Sequence, residues 1–402
     1  MLVDNVFLEK LFSKRFYLIT PLIIIYSIFI VVYYFVFLTA SLSPLASDLV
    51  SFLTGAGIIR AGEAKLLYDV NIQFGQQLAI VAPFEKTNLL PFRSLPLTAL
   101  MFLPLSYLPL TSAYWVMVIV NFMLLFVSTS LLAKSVKNER HGKIIYLLPF
   151  FFLPTAFSII LSQYLSLIFL ILTLVYLSLK RENEFFCGML TSLLIIKLQF
   201  ILFAPFVFIL AKKRTKFLLG FLTGLISMLA LIFAITGFVG MARYPMFLTV
   251  TETVEYGSRY WHMYSLGAFW QFVFGNFGKN FFLIVNFLLY LFSLAFFWKK
   301  KNLNLEMLFS AAILLTLFFS PHTLTHDLMV LMLPVFLLLS KLRKFSGKVK
   351  LGIKFLLISL FLYPFLIFTG NVTWSAPFLP IAAAYLLRVK EKKEINTGFT
   401  FK

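Results

Sequence analysis

Long apolar runs, separated by short polar stretches, make up most of this 402-residue chain. A helix of about 20 apolar residues crosses the roughly 30 Å hydrocarbon core of a bilayer, and most of the runs approach that length. The runs at 184–197, 198–211 and 376–388 are short enough to form half-helices or re-entrant pairs instead. The predicted membrane segments are 16–40, 113–133, 144–161, 164–180, 184–197, 198–211, 217–239, 280–298, 304–320, 327–341, 352–369 and 376–388. The pattern predicts an all-α polytopic membrane protein with about 12 transmembrane helices, in a range of roughly 10 to 13.

The basic residues predict how these segments are oriented, because cytoplasmic loops of membrane proteins carry an excess of Lys and Arg. All basic clusters fall on the cytoplasmic side if the number of crossings is even and the proline-rich stretch 95–110 stays at the outer interface. The clusters are Lys10/Lys14/Arg15, Lys134/Lys137/Arg140/Lys143, Lys180/Arg181, Lys212/Lys213/Arg214/Lys216, Lys299/Lys300/Lys301, Lys341/Arg343/Lys344/Lys348/Lys350/Lys354 and Arg388/Lys390/Lys392/Lys393. The sequence thus predicts a multi-pass protein of the cell membrane with cytoplasmic N- and C-termini.

Two long loops, about 41–112 and 240–279, then face the extracytoplasmic side. Interfacial helices are expected in the first loop, and the whole chain, 1–402, is interpreted as one membrane-embedded domain. The inner face offers only short basic loops, whereas three of the four histidines fall outside. Chemistry is therefore expected at the outer surface.

Composition excludes several classes of protein. The chain is 61% hydrophobic and 12% charged, which is more apolar side chain than one soluble core can cover. Its net charge of +20 suggests nucleic acid at first sight, but the basic residues lie between apolar runs and not on a polar face, so no nucleic-acid partner is predicted. The single Cys187 excludes a disulfide framework and a Cys-based metal site.

Four stretches, taken in order, resemble one known family. They are Asp48 with 54–63 and Leu67-Tyr68-Asp69; the proline-punctuated 95–110 leading into Ala113-Tyr114-Trp115; Ser162-Gln163 with Gly188 and Lys197; and Ser320-Pro321-His322. Their order and spacing resemble the glycosyltransferase 87 family, also called DUF2029, which is part of the GT-C superfamily of membrane glycosyltransferases. This chain departs from the family pattern at Leu49-Val50-Ser51-Phe52, at Arg93-Ser94-Leu95, and at Ser162, where Gly is common.

The resemblance implies a GT-C-type helical bundle that moves mannose, or another hexose or pentose, from a polyprenyl phosphate to an extracytoplasmic lipid, glycan or protein acceptor. It also implies inversion of the anomeric carbon and catalysis without a metal or other cofactor. A nucleotide-sugar donor is disfavoured, because the sequence has no Gly-rich phosphate loop and no room for a soluble nucleotide-binding domain. Donor, acceptor and membrane lipids are the implied partners, and the oligomeric state stays open.

Such a transferase needs a base for the acceptor hydroxyl and fixed cations for the departing phosphate. Asp48 is the first candidate for the base, and its alternative is an exposed helix-capping residue. Lys197, at the tip of the apolar pair 184–211, is a candidate for the donor phosphate, and its alternative is snorkelling to the membrane surface.

Other candidates have weaker support. His322 is a second catalytic candidate, and His326 follows it at the i, i+4 spacing of one helix face beside Asp327, although no third metal ligand is evident. The alternative for both histidines is packing at a helix start. The remaining candidates are Arg60 and Arg93 for the donor phosphate, with lipid headgroups as the alternative, and Asp69, Gln163, Arg243 and Arg259 for substrate. Glu252 and Glu255 are interpreted as one exposed helix face.

Two other functions compete with glycosyl transfer. A transporter or flippase for a lipid-linked or small polar substrate usually places ionisable residues near mid-bilayer in broken helices, whereas here nearly all charge lies at the predicted membrane edges. A non-catalytic scaffold for envelope assembly would tolerate Asp48→Asn.

Overall fold

The computed structural model describes residues 25–40, 43–84, 88–136, 147–275, 279–301, 303–345 and 347–389. These residues form helices and connecting turns, with no strand among them, which confirms the predicted all-α fold. The start of the first predicted membrane segment, 16–24, and the predicted cytoplasmic termini lie outside the described residues.

Eighteen α-helices are formed by the described residues. They are α1 Ile25–Thr39, α2 Ser43–Ala46, α3 Leu49–Arg60, α4 Val70–Val81, α5 Pro96–Phe102, α6 Leu110–Val136, α7 Leu153–Ile160, α8 Leu165–Lys180, α9 Glu184–Ser192, α10 Ala204–Leu210, α11 Arg214–Ala242, α12 Tyr244–Thr251, α13 Leu266–Phe274, α14 Lys279–Lys299, α15 Leu305–Phe319, α16 Met332–Lys341, α17 Gly347–Leu362 and α18 Phe378–Leu386. Short 3-10 helices are Ala64–Leu66, Leu103–Tyr107, Leu148–Phe151, Leu193–Phe203, Val254–Tyr256, Tyr260–His262, Thr325–Leu331, Leu342–Lys344, Tyr363–Thr369 and Thr373–Ser375.

Within the described ranges, five helical segments are long and apolar enough to cross a membrane. They are Leu110–Lys134, Glu184–Leu210, Arg214–Ala242, Phe281–Lys299 and Gly347–Thr369. Other predicted segments are shorter, as for α8 with 16 residues and α15 with 15. The structure thus supports a helical membrane protein, but it does not confirm a count of about 12 crossings.

The segment Glu184–Leu210 doubles back on itself. A straight helix of its 27 residues would extend about 40 Å. Instead, Lys212 forms an ion pair with Glu182, and the Lys213 amide donates to Glu184 Oε1 at 3.4 Å, so the two ends of the segment are adjacent. The turn is at Lys197, whose φ of −119° and ψ of 87° are not helical. The segment is therefore a hairpin of two short arms, which agrees with the prediction of half-helices at 184–197 and 198–211.

Glycines allow the first arm of this hairpin to pack closely against α11. A Cβ atom built on Gly188 would lie 2.1 Å from the carbonyl oxygen of Phe217, and one built on Gly220 would lie 1.9 Å from that of Phe185. Only glycine fits at such a distance, and small residues at helix contacts are a common feature of membrane proteins. This contact fixes the hairpin, and with it Lys197, against one of the longest helices.

We expect Gly188→Ala to lower the stability of the protein by about 1–3 kcal/mol, because the new methyl group forces α9 and α11 apart. The measurement is the melting temperature of the purified protein in one detergent. Gly75→Ala is the matched control: Gly75 is also helical, but a Cβ there meets no atom within 4 Å, and Ala favours a helix over Gly by about 0.5–1 kcal/mol. Equal melting temperatures for the two variants would contradict the close contact.

The stretch 95–110 does not form a crossing helix. Pro96–Tyr107 is a short apolar helix whose second part, Leu103–Tyr107, is 3-10. It is roughly 20 Å long, too short for the hydrocarbon core. It packs against α3, which in turn packs against α4, so helices of the first predicted outer loop contact one another.

Basic residues gather at one end of the helices, which we call the basic end. They are Lys180, Arg181, Lys212, Lys213, Arg214 and Lys341. Glu306 joins two helices there: its Oε1 accepts a hydrogen bond from the Tyr176 hydroxyl at 3.1 Å and lies 3.2 Å from Lys341 Nζ. The Lys212–Glu182 pair closes the hairpin, and the guanidinium of Arg214 lies 4.1 Å from the centre of the Trp298 ring. Helices α8, α10, α14 and α16 all finish with these residues or close to them, so the start of the 16-residue α8 lies towards the opposite side of the bundle.

Candidate active site

A cavity of about 490 Å³ lies at the end of the bundle where α8 begins and α15 stops. The length of α8, 16 residues, separates it from the basic end by about 24 Å. The cavity is bounded by the start of α3, the loop before α5, the tip of the hairpin, the end of α12 and the turn after α15. Its acidic, basic and histidine lining residues are Asp48, Arg93, Lys197, Glu252, His322, His326 and Asp327.

Asp48 directly precedes α3 but does not cap it. Its φ and ψ are −70° and −9°, and its side chain makes no capping hydrogen bond. Instead, Oδ2 accepts a hydrogen bond from Gln163 Nε2 at 2.6 Å, and the Asp48 amide donates to the Leu161 carbonyl at 3.0 Å. Burial raises the pKa of Asp48, although the bond from Gln163 and the charge of Lys197 act to lower it. A carboxylate that is partly buried and more basic than usual is suited to accept a proton.

A tight turn places Gln163 against Asp48. Ser162 has a φ of +52°, a left-handed conformation that residues other than Gly, Asn and Asp seldom adopt. The Gln163 amide then donates to the Ser158 carbonyl at 2.8 Å, which ends α7 and turns the side chain towards α3. Glycine would adopt this conformation at no steric cost.

Lys197 enters the cavity from the tip of the hairpin. Its Nζ lies 2.5 Å from Asp327 Oδ1 and 5.7 Å from the centre of the Tyr164 ring. The side chain is only 10% exposed and Asp327 only 1%, so the ammonium does not snorkel along the surface. The Tyr164 hydroxyl donates to the Ile196 carbonyl at 3.3 Å and supports the turn.

Asp327 is held as an anion. Burial acts to raise its pKa, but Lys197, His326 and the Leu324 amide, which donates to Oδ2 at 2.9 Å, outweigh burial and lower the pKa to about 2. His326 Nε2 lies 3.6 Å from Asp327 Oδ1, and burial lowers the pKa of this histidine to about 3. In one cavity, the pKa of Asp48 is therefore raised and that of Asp327 is lowered. Asp48 is suited to accept a proton, whereas Asp327 stays ionised as the partner of Lys197.

His322 and His326 line the same cavity, but the expectation that they share one face of a helix is wrong. The 3-10 helix begins at Thr325, so His322 lies in the irregular turn before it. The backbone of this turn is fixed by the Tyr264 amide, which donates to the Thr323 carbonyl at 2.8 Å. Burial lowers the pKa of His322, so it is neutral near pH 7 and can donate or accept a hydrogen bond.

Arg93 and Glu252 form another part of the cavity lining. Arg93 Nη2 donates to the carbonyl oxygens of Thr251 and, at 3.0 Å, Tyr256, while its Nε lies 3.8 Å from Glu252 Oε1. Glu252 Oε2 lies 3.6 Å from His322 Nδ1. The interpretation of Glu252 and Glu255 as one exposed helix face is wrong, because α12 ends at Thr251 and Glu252 lines the cavity.

Four sequence candidates lie outside this cavity. Arg60 donates to the Ser106 carbonyl, lies over the Tyr107 ring at 5.2 Å and lines a separate cavity of about 230 Å³. Asp69 is the N-cap of α4, accepting from the Asn71 amide at 3.0 Å. Arg243 and Arg259 are exposed, away from the lining residues.

Sequence reasoning did not single out several lining residues. Tyr164 follows the candidate Gln163, so proximity in sequence was an available signal, whereas Asp327 was named only as a neighbour of the two histidines. Tyr244, which lies 151 positions from Arg93, donates to its carbonyl oxygen at 2.9 Å and carries no such signal. Among the described residues, no three His, Cys, Asp or Glu side chains are grouped in a way that could hold a metal ion.

The arrangement combines a proton acceptor with a buried cation in one cavity. Asp48 can accept a proton from a hydroxyl, and Lys197 can stabilise an anion without leaving Asp327. The adjoining wall is apolar and includes Leu198, Ile201 and Leu202 on the second arm of the hairpin. The cavity thus presents a proton acceptor, a cation and an apolar wall side by side.

Comparison with known proteins identifies the family. The family model of glycosyltransferase family 87 matches residues 96–321, a segment that holds Gln163 and Lys197, begins after Asp48 and ends one residue before His322. No curated protein matches the chain, and neither does any solved structure. Because the match covers more than half of the 402 residues and agrees with the order of motifs along them, the chain belongs to glycosyltransferase family 87.

Proposed function

We propose that this glycosyltransferase moves a hexose or pentose, such as mannose, from a polyprenyl phosphate to a hydroxyl group of an extracytoplasmic lipid, glycan or protein. The observation that carries the proposal is the cavity itself, where the Asp48 carboxylate, held by Gln163 at 2.6 Å, shares one lining with the buried Lys197 ammonium. A base and a fixed cation are the two groups that this reaction requires.

The donor class is supported by the apolar wall of the cavity. Leu198 is 44% exposed, and Ile201 and Leu202 continue the apolar surface along the second arm of the hairpin. A phosphate beside Lys197 would have its polyprenyl chain beside these side chains and could pass from there into the bilayer. A nucleotide donor has no apolar chain that could pack against these side chains.

The location of the basic residues supports an extracytoplasmic site. Lys180, Arg181, Lys212, Lys213 and Arg214 lie at the basic end, which the positive-inside rule assigns to the cytoplasm. The cavity lies at the opposite end of α8, about 24 Å away. On this assignment the phosphosugar stays at the outer surface.

The reaction is a single displacement in this proposal. Asp48 accepts the proton of the acceptor hydroxyl while the hydroxyl oxygen forms a bond to the anomeric carbon. The bond between that carbon and the phosphate oxygen breaks, and its electron pair leaves with the polyprenyl phosphate. Lys197 and the neutral His322 stabilise the phosphate by charge and by hydrogen bonding. One displacement inverts the anomeric carbon, as expected of a GT-C-type enzyme.

The test is transfer of radiolabel from a panel of polyprenyl-phosphate sugars to membrane acceptors by purified protein in lipid nanodiscs. We expect one polyprenyl donor to support transfer, nucleotide sugars to support none, and EDTA to leave the rate unchanged. Flipping of a labelled lipid-linked sugar across the bilayer is measured in the same preparations. Flipping without transfer would replace the proposal by a transport function, and loss of transfer in EDTA would refute metal independence.

A further inference from the structure

Glu252 reaches into the cavity from the turn that follows α12. Its carboxylate lies between two groups that could hold a phosphate: Oε1 is 3.8 Å from Arg93 Nε and Oε2 is 3.6 Å from His322 Nδ1. The Ser258 hydroxyl donates to Oε2 at 2.6 Å. In this structure a carboxylate therefore occupies the anion-binding side of the cavity.

The charges of the cavity do not suit an anionic ligand while Glu252 is present. Arg93 and Lys197 are the two cations of the lining, and Asp48, Glu252 and Asp327 are its three carboxylates. With Asp48 ionised, as a base must be, and both histidines neutral, the lining has a net charge of −1. A donor phosphate would add a further negative charge to a buried site, which is unfavourable. Withdrawal of Glu252 alone makes the lining neutral.

The structure allows Glu252 to withdraw while the surrounding turn stays in place. Arg93 holds the backbone on both sides of Glu252, through the carbonyl oxygens of Thr251 and Tyr256, and its Nε lies 3.3 Å from Thr251 Oγ1. These bonds do not involve the Glu252 side chain. That side chain is 38% exposed, so it can rotate into solvent when another anion takes its place.

We propose that Glu252 occupies the place of the donor phosphate in the free protein and is displaced when the donor binds, so that this residue sets the affinity for the donor. The inference rests on the proposed function, since it assumes that a polyprenyl phosphate is the anion that enters. Arg93 and His322 exchange the Glu252 carboxylate for the donor phosphate. Arg93 therefore has an anionic partner both before and after the donor binds. Glu252 thereby selects for ligands whose phosphate competes with a carboxylate.

The experiment measures binding of a polyprenyl monophosphate, without a sugar, to wild type, Glu252→Gln and Glu255→Gln in the same nanodiscs. Glu252→Gln keeps the size of the side chain and removes its charge, so we expect about tenfold tighter binding, because a like charge beside the phosphate is gone. Glu255, three positions on, is exposed and outside the cavity, and Glu255→Gln should bind as wild type does. The KM for the sugar donor should fall in parallel in Glu252→Gln.

The outcomes separate this inference from the proposed function. If wild type binds the polyprenyl monophosphate and Glu252→Gln binds it equally or less tightly, the displacement is refuted and Glu252 instead positions Arg93 and His322. If wild type does not bind it at all, the proposed donor class fails and the inference fails with it. Glu252→Ala, which removes the carboxylate without adding an amide, must change affinity in the same direction as Glu252→Gln, and an opposite change also refutes the inference.

Discussion

Transfer by Asp48→Asn is expected to fall by about 10²–10⁴-fold, the contribution usual for a general base. Asn has nearly the same volume and can still contact Gln163, whose Nε2 is 2.6 Å from the carboxylate in the wild type. It cannot accept the proton of the acceptor hydroxyl, so the attacking oxygen stays protonated. The measurement is the initial rate of sugar transfer at saturating donor, together with the affinity for the polyprenyl monophosphate, which should not fall below that of wild type.

Asp69→Asn is the matched control, since it is the same chemical change at an aspartate outside the cavity. Asn is as good an N-cap as Asp, so the helix that Asp69 begins should persist and transfer should be normal. The wild-type pH profile gives a second check. Burial raises the pKa of Asp48, so the base becomes protonated, and the rate falls, at a higher pH than for an ordinary aspartate. Normal transfer by Asp48→Asn would eliminate Asp48 as the base.

The parts of the site that the sequence predicts are those next to a break in the apolar pattern. Asp48, Lys197 and His322 each follow or interrupt a long apolar run, and a polar side chain at such a point must find partners at a helix end. That reasoning brings these residues to one end of a bundle. It does not indicate whether Asp48 caps its helix or faces a cavity, because its partner Gln163 is 115 positions away.

Residues that act through backbone geometry are less predictable. Glu252 and Glu255 have the spacing of one helix face, but α12 ends at Thr251 and the turn separates them. The end depends on Arg93, which binds the Thr251 carbonyl from 158 positions away. Arg60 shows the converse error. The sequence suggests that it binds the donor phosphate, but its guanidinium donates to the Ser106 carbonyl of a neighbouring helix. Contacts between distant segments decide both cases.

The number of crossing helices is hard to predict for a related reason. Apolar runs indicate burial but do not distinguish lipid from protein as the surrounding medium, and short helices are tolerated at membrane depth where protein covers them. Helix α15 is buried over nearly its whole length of 15 residues. The longer α14 exposes most of its apolar side chains, among them Phe281, Leu283 and Phe292. Only a helix exposed to lipid, such as α14, must match the thickness of the bilayer.

Lys197→Met should lose both activity and stability. Met fills much of the same space, but it removes the cation that stabilises the leaving phosphate, a loss of about 10²–10³-fold in rate for one such group. It also leaves the Asp327 carboxylate, which is 1% exposed, without the ammonium that lies 2.5 Å from it. Breaking a buried ion pair from one side costs about 3–5 kcal/mol. Transfer rates and melting temperatures of the same preparations measure the two effects.

The double variant Lys197→Met/Asp327→Asn distinguishes the two roles of the lysine. Removing the carboxylate as well leaves no uncompensated charge, so much of the lost melting temperature should return, because replacing both members of a buried pair costs far less than breaking it. Transfer should stay as low as in Lys197→Met, since the Lys197 ammonium is still missing from the cavity. If activity returned with stability, Lys197 would serve only to hold Asp327 and the 3-10 helix at Thr325–Leu331 in place. If neither returned, the hairpin turn itself would depend on Lys197, whose backbone already departs from the helix at φ −119° and ψ 87°.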